Sequence, residues 1–104
     1  MASIYSTKLA EVSVTTGGPY TVYTAPSGAT VEVRCITAAI YVAGASVAYF
    51  SIGGSYPLCG VSESVAFVST PVNMRHVLNP GDTIVVSNVT GDWLALISGY
   101  VLLN

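Results

Sequence analysis

His76, Cys35, Cys59, Asp82 and Asp92 are the side chains best suited to chemistry in this chain, and their spacing limits what each could support. His76, the single histidine, sits between Arg75 and Val77. Zinc sites draw on several histidines or cysteines, a set that one histidine and two distant cysteines do not assemble. With no acidic cluster to complete it, no metal and no cofactor is expected. A cysteine nucleophile served by His76 would need surroundings that depress the thiol pKa, and nothing local marks either cysteine that way. Asp82 and Asp92 flank one hairpin and could be imagined as the carboxylate pair of a glycoside hydrolase. Aspartate is equally a turn residue, because its carboxylate bonds nearby backbone groups. The turn role is the simpler one, and no enzymatic activity is expected.

Aromatic side chains offer a second chemistry. Tyr5, Tyr20, Tyr23, Tyr41, Tyr49, Tyr56 and Tyr100, together with Trp93, could form stacking platforms for sugars. The same residue types are enriched in strands and at protein interfaces, where a ring covers area with one polar end satisfied. The interface or core role has the broader physical basis. A carbohydrate site, if present, is expected near Tyr20, Tyr23 and Tyr56.

The charges are more telling than any of these groups. Of 104 residues, 52% are hydrophobic and 8% charged. A globule of 10.7 kDa exposes roughly 5,500 Å² by surface-to-mass scaling, about one charge per 700 Å². About a quarter of the residues in an average domain are charged, so a surface this sparse points to cover by other protein. Lys8, Arg34 and Arg75 are the only cations, against five carboxylates, for a net charge of −2. Three scattered cations give no footprint for a phosphate backbone or an anionic membrane surface, which excludes nucleic acid as an expected partner. The length fits one domain, residues 1–104. The opening MASIYSTKLAEVSV lacks the basic and apolar regions of a secretory signal, so folding in a cytoplasm, with free thiols, is expected.

Residues 35 to 62 carry no charge, which raises a small membrane protein spanning near 36 to 52 as an alternative. Thr37, Gly44, Ser46 and Ser51 interrupt that run and Gly53, Gly54 and Pro57 end it, short of the 20 or so predominantly apolar residues a spanning helix wants. No membrane association is expected.

Period-two alternation in short segments separated by Gly, Pro, Ser and Asn predicts an all-β fold, an antiparallel β-sandwich of jelly-roll type with about seven or eight short strands. Strands are expected at Leu9–Thr15, an edge, and at Tyr20–Thr24. Another is expected at Thr30–Ile36, running on through Tyr41, with Val31, Val33 and Cys35 opposite Thr30, Glu32 and Arg34. Small residues at 43 to 46 suit a hairpin into Val47–Ile52, and GGSYP reads as a loop. Ser64–Ser69 and Met74–Leu78 are further strands split by Thr70 and Pro71. Asn79-Pro80-Gly81-Asp82 matches a type II turn into Thr83–Ser87. Asn88–Asp92 then forms a loop into Trp93–Leu103.

That last strand is apolar on both faces. Trp93, Ala95, Ile97, Val101 and Leu103 share one side, and Leu94, Leu96, Tyr100 and Leu102 the other. A strand buried on both faces must be covered twice, and one sandwich covers only one. Subunit contacts are therefore expected at Trp93, Leu94, Leu96, Tyr100 and Leu102, and further at Tyr41, Tyr49 and Phe50. A cyclic oligomer, a homotrimer above all, would bury such faces around its axis.

The strings YTAPSGATVEVRCI, LNPGDTIVVSN and SGYVLL together resemble small proteins encoded among the virion genes of tailed bacteriophages. The resemblance rests on a T-x-P-x-G turn, an L-x-P-G-D turn and a closing strand with SGY, over residues 20 to 103. It implies a β-sandwich attached to a virion that is assembled in the host cytoplasm: a capsid decoration or cement protein contacting itself and others such as the major capsid protein. The alternative it implies is a tail or head fibre component with a carbohydrate-binding role toward host surface glycan.

Overall fold

The computed structural model describes the backbone of residues 3–103 and the side chains of residues 8–103. Tyr5 and the outermost residues of the expected 1–104 unit lie outside the described side chains. Eight strands follow in chain order: β1 (Ser3–Val14), β2 (Tyr20–Thr24), β3 (Ala29–Ile40), β4 (Ser46–Ile52), β5 (Tyr56–Glu63), β6 (Thr70–Leu78), β7 (Thr83–Thr90) and β8 (Trp93–Leu103). They form two four-stranded sheets, ordered β1-β8-β3-β6 and β2-β7-β4-β5. Every pair is antiparallel. Strand pairing is nested, first with last and so inward, and this wrapping of one long hairpin into two sheets is the jelly roll.

Side-chain alternation sets each strand's inner face. On β8, Trp93, Ala95 and Ile97 are buried, while Leu94, Leu96, Tyr100 and Leu102 alternate outward. On β3, Val31 and Val33 point inward, but the next buried residue is Ile36, not Cys35. The phase slips because β3 shifts register between Val33 and Cys35, where an extra residue is absorbed as a bulge. Cys35 therefore turns toward Thr37, its Sγ 3.5 Å from the Thr37 hydroxyl oxygen. β1, an edge strand as expected, shifts register between Lys8 and Ala10. The two shifts flank Ser98 of β8, so the strands on either side of β8 each absorb an extra residue at one level.

The core joins Trp93 and Phe50 with Val31, Val33, Ile36, Ile40, Leu78, Ile84, Val86, Val89 and Ile97. Trp93 is wholly buried, and its ring N–H donates to the Thr90 carbonyl at 2.9 Å. Phe50 is 2% exposed. Both were expected at subunit contacts. Their side chains instead fill the protomer's own interior, as the alternation shared by Trp93 with Ala95 and Ile97 requires.

Several expected boundaries shift. β7 runs on to Thr90, so the loop expected at Asn88–Asp92 shrinks to a turn at Gly91 and Asp92. Tyr56 and Pro57, expected in a loop, begin β5, an edge strand where a proline costs no ladder hydrogen bond. Ser64–Ser69, expected as a strand, is an irregular connection; Pro71 instead lies within β6, the other sheet's edge. The 36 to 52 run is the end of β3, a connection and β4, in two different sheets. No helix among the described residues is long and apolar enough to cross a membrane.

The Asn79–Asp82 turn forms as its sequence predicts. Gly81 takes φ +88°, which a type II turn demands at its third position, and Asp82 N–H donates to the Asn79 carbonyl at 3.0 Å. It interlocks with the connection after β2, since Ala25 N–H donates to the Asp82 carbonyl and Gly81 N–H to that of Ala25.

Candidate interaction surface

Four connections gather at one end of the sandwich: 15–19, 41–45, 64–69 and the tight turn at Gly91 and Asp92. Hydrogen bonds tie them together. Tyr41 N–H donates to the Asp92 carbonyl, Gly44 N–H to that of Ser64, and Phe67 N–H to that of Ile40 at 2.9 Å. The Thr15 hydroxyl donates to the Asp92 carboxylate at 2.6 Å.

This knitted end is apolar. Phe67 is 77% exposed, Val42 66% and Val65 56%, with Tyr41 and Val68 also open to solvent. Connections are ordinarily polar, because nothing buries their side chains. The connections at the opposite end follow that rule, with Pro26, Ser27 and Gly28; Gly53, Gly54 and Ser55; and Pro80, Gly81 and Asp82. Val42, Val65, Phe67 and Val68 were not among the expected contact residues. Their one sequence signal, an uncharged apolar run at 65 to 68, mimics a strand.

The apolar end continues onto the outer face of the β1-β8-β3-β6 sheet. Leu94 pairs with Ala39 of β3 and Ser13 of β1, and the hydroxyls of Ser13 and Tyr41 lie 3.0 Å apart. Leu94, Leu96, Thr37, Ala39 and Ser69 line a hollow of about 150 Å³ with Glu11 at its margin. Of the expected contact residues, Leu94, Leu96 and Tyr41 are thus brought together. Tyr100 and Leu102 lie farther along the same face beside the exposed Val77, in a second, apolar-lined hollow. Tyr49 lies on the opposite sheet, its ring crossing Gly60 of β5.

The charged groups stand aside from the apolar end or serve it locally. Among the described residues every charged side chain has a local partner. Lys8 pairs with Glu11; Glu32 pairs with Arg34 at 3.8 Å and Arg75 at 2.9 Å. The Arg34 guanidinium also covers the Tyr100 ring, 5.5 Å from its centre. Asp82 accepts from Asn79 N–H at 2.9 Å and Asp92 from Thr15. These two aspartates sit at opposite ends of β7, roughly 27 Å of extended chain apart, far beyond the separation of a glycosidase pair.

Glu63 anchors the 64–69 connection. Its carboxylate accepts from Ser64 N–H at 2.9 Å, Val65 N–H at 3.2 Å and the Thr70 hydroxyl at 3.3 Å. Those backbone donors, Ser64 first, hold its pKa below the ordinary glutamate value. A depressed folded-state pKa means the anchor is complete above the ordinary value and is lost as pH falls through the folded one. Protection of the Ser64 and Val65 amides, read by NMR against the intrinsic exchange rate at each pH of an acid titration, is expected to fall there. A Glu63→Gln chain should lose that pH dependence.

The remaining chemical groups meet in pairs. Cys35 and Cys59 are free thiols, and burial first, with Cys35 second, pushes the Cys59 thiol up, away from a reactive thiolate. His76 meets the edge of the Tyr56 ring at 5.9 Å. No group of three or more His, Cys, Asp or Glu side chains among the described residues could hold a metal ion. The tyrosines proposed for sugar stacking do not share a surface: Tyr20 and Tyr23 pack partly buried on the core, and Tyr56 lies on the far edge of their sheet, about 14 Å away.

Protein-family models, curated proteins and solved structures yield no match to this chain.

Proposed function

We propose that this chain is a non-enzymatic structural subunit of a bacteriophage virion, a capsid decoration or cement protein that assembles as a homotrimer and contacts other virion proteins such as the major capsid protein. One observation carries the reading: the exposed apolar patch formed by Tyr41, Val42, Val65, Phe67 and Val68, continuous with Leu94 and Leu96 on the outer sheet face. With eight charges on 5511 Å² of surface, the protomer has little to keep such a patch dispersed in water. The jelly roll supports the reading by analogy, since viral capsid domains share it, and the turn motifs of residues 20 to 103 point the same way.

The virion role is tested on purified phage particles by protein mass spectrometry and subunit-resolution imaging. Regular, stoichiometric copies on the particle are expected. A chain left wholly outside the particles would refute the role.

Assembly through the outer face has its own test. Leu96→Lys would put an ammonium, beside its cross-strand neighbour Glu11, into a subunit contact that is otherwise apolar, and self-association measured by sedimentation is expected to weaken by about tenfold or more. An unchanged dissociation constant would remove Leu96 from the interface.

A further inference from the structure

We infer that the partner of the apolar end is a second copy of this chain, and that Phe67 of one copy seats in the Leu94/Leu96 hollow of the next. This rests on the oligomer reading above and names the contact that builds it.

Phe67 has the properties of a knob. It is the most exposed large apolar side chain among the described residues, and its backbone holds φ +63°, a left-handed conformation rare for a bulky residue. The N–H bond to Ile40 and the neighbouring Glu63 anchor fix the connection that presents it. Backbone of this kind persists where surrounding structure enforces it, and it is concentrated at functional positions.

The hollow has matching properties. About 150 Å³ is the size of an apolar cavity that accepts a benzene ring. Leu94, Leu96, Thr37 and Ala39 supply mostly apolar walls, and its one charge, Glu11, is already paired with Lys8. Phe67 does not fill its own hollow, although Ser69, two residues on, lines it. It stays open to solvent and to a side chain from another molecule.

Charge and area favour a copy of this chain as that molecule. Neither knob nor hollow offers an unpaired charge, so a charged peptide, nucleic acid or anionic lipid finds nothing complementary. On the knob side Tyr41, Val42, Val65, Phe67 and Val68 expose on the order of 550 Å², more than half of the roughly 800 Å² each partner contributes to a standard stable interface. It also approaches the upper limit of the largest patch on ordinary monomers. Knob and hollow occupy different positions, so the contact can repeat head to tail, and where the rotation between copies is a third of a turn it closes as a homotrimer.

Sedimentation equilibrium of the intact chain and three variants tests the contact. Phe67→Ala removes the knob, and Ala39→Trp fills the hollow while leaving Phe67 in place. Each is expected to raise the dissociation constant at least about tenfold, with the circular dichroism of the native fold retained. Tyr56→Ala, at the opposite end, is expected to leave association unchanged. A monomeric native chain, or folded Phe67→Ala and Ala39→Trp chains that associate like the native one, would overturn the inference. The latter result on a chain still found in particles would remove this contact and leave the virion role standing; absence from particles with the contact intact would do the reverse.

Discussion

A Gly99→Ala chain is expected to lose more than about 3 kcal/mol of stability, at or beyond the upper end of ordinary overpacking. Gly99 lies opposite Val33 on β3, next to the bulge that shifts that strand's register. A methyl group there would run into the backbone carbonyl oxygen of Glu32 and stand 3.1 Å from the Val33 Cα. A long side chain could swing away, but backbone held by ladder hydrogen bonds on both sides cannot. Relief requires parting β8 from β3 in the middle of the sheet. Thermal unfolding followed by circular dichroism should show the midpoint fall by about 12 °C or more. A shift within a few degrees would mean that the strands separate easily there, against the close approach described.

Trp93→Ala is expected to cost about 3–5 kcal/mol, a large share of the 5–15 kcal/mol typical of a whole domain. The indole is wholly buried and its N–H satisfies the Thr90 carbonyl across the Gly91–Asp92 turn. Its removal leaves a cavity and frees an acceptor at the root of the apolar end. Denaturant unfolding should show a markedly lower midpoint. Leu94→Ala, one residue away on the outer face, should change the protomer's own stability far less. Equal effects at 93 and 94 would contradict the assignment of Trp93 to the core.

The contrast between those neighbours shows what a sequence of this kind reveals. Alternation along 93 to 103 places Trp93 with Ala95 and Ile97, opposite Leu94 and Leu96, and the structure keeps that division. Ring size suggests Trp93 and Phe50 for an interface, whereas their phase assigns them to the interior. The bulge at Arg34 is invisible to a strict period of two, which puts Cys35 on the face of Val33. Tyr56 and Pro57 look like loop residues because proline lacks a donor, but an edge strand does not need one. Val65 and Phe67 alternate as a strand would while facing solvent, because alternation reports apolar periodicity and not the presence of something to cover it. The apolar end could not be assembled from sequence alone: Tyr41, Phe67 and Leu94 lie far apart in the chain, and only the nested strand order makes them neighbours.

Sedimentation equilibrium or light scattering on the native chain at micromolar concentration tests self-association through the apolar end most directly. A homogeneous mass three times the 10.7 kDa of the chain is expected. A monodisperse 10.7 kDa monomer under the same conditions would contradict it.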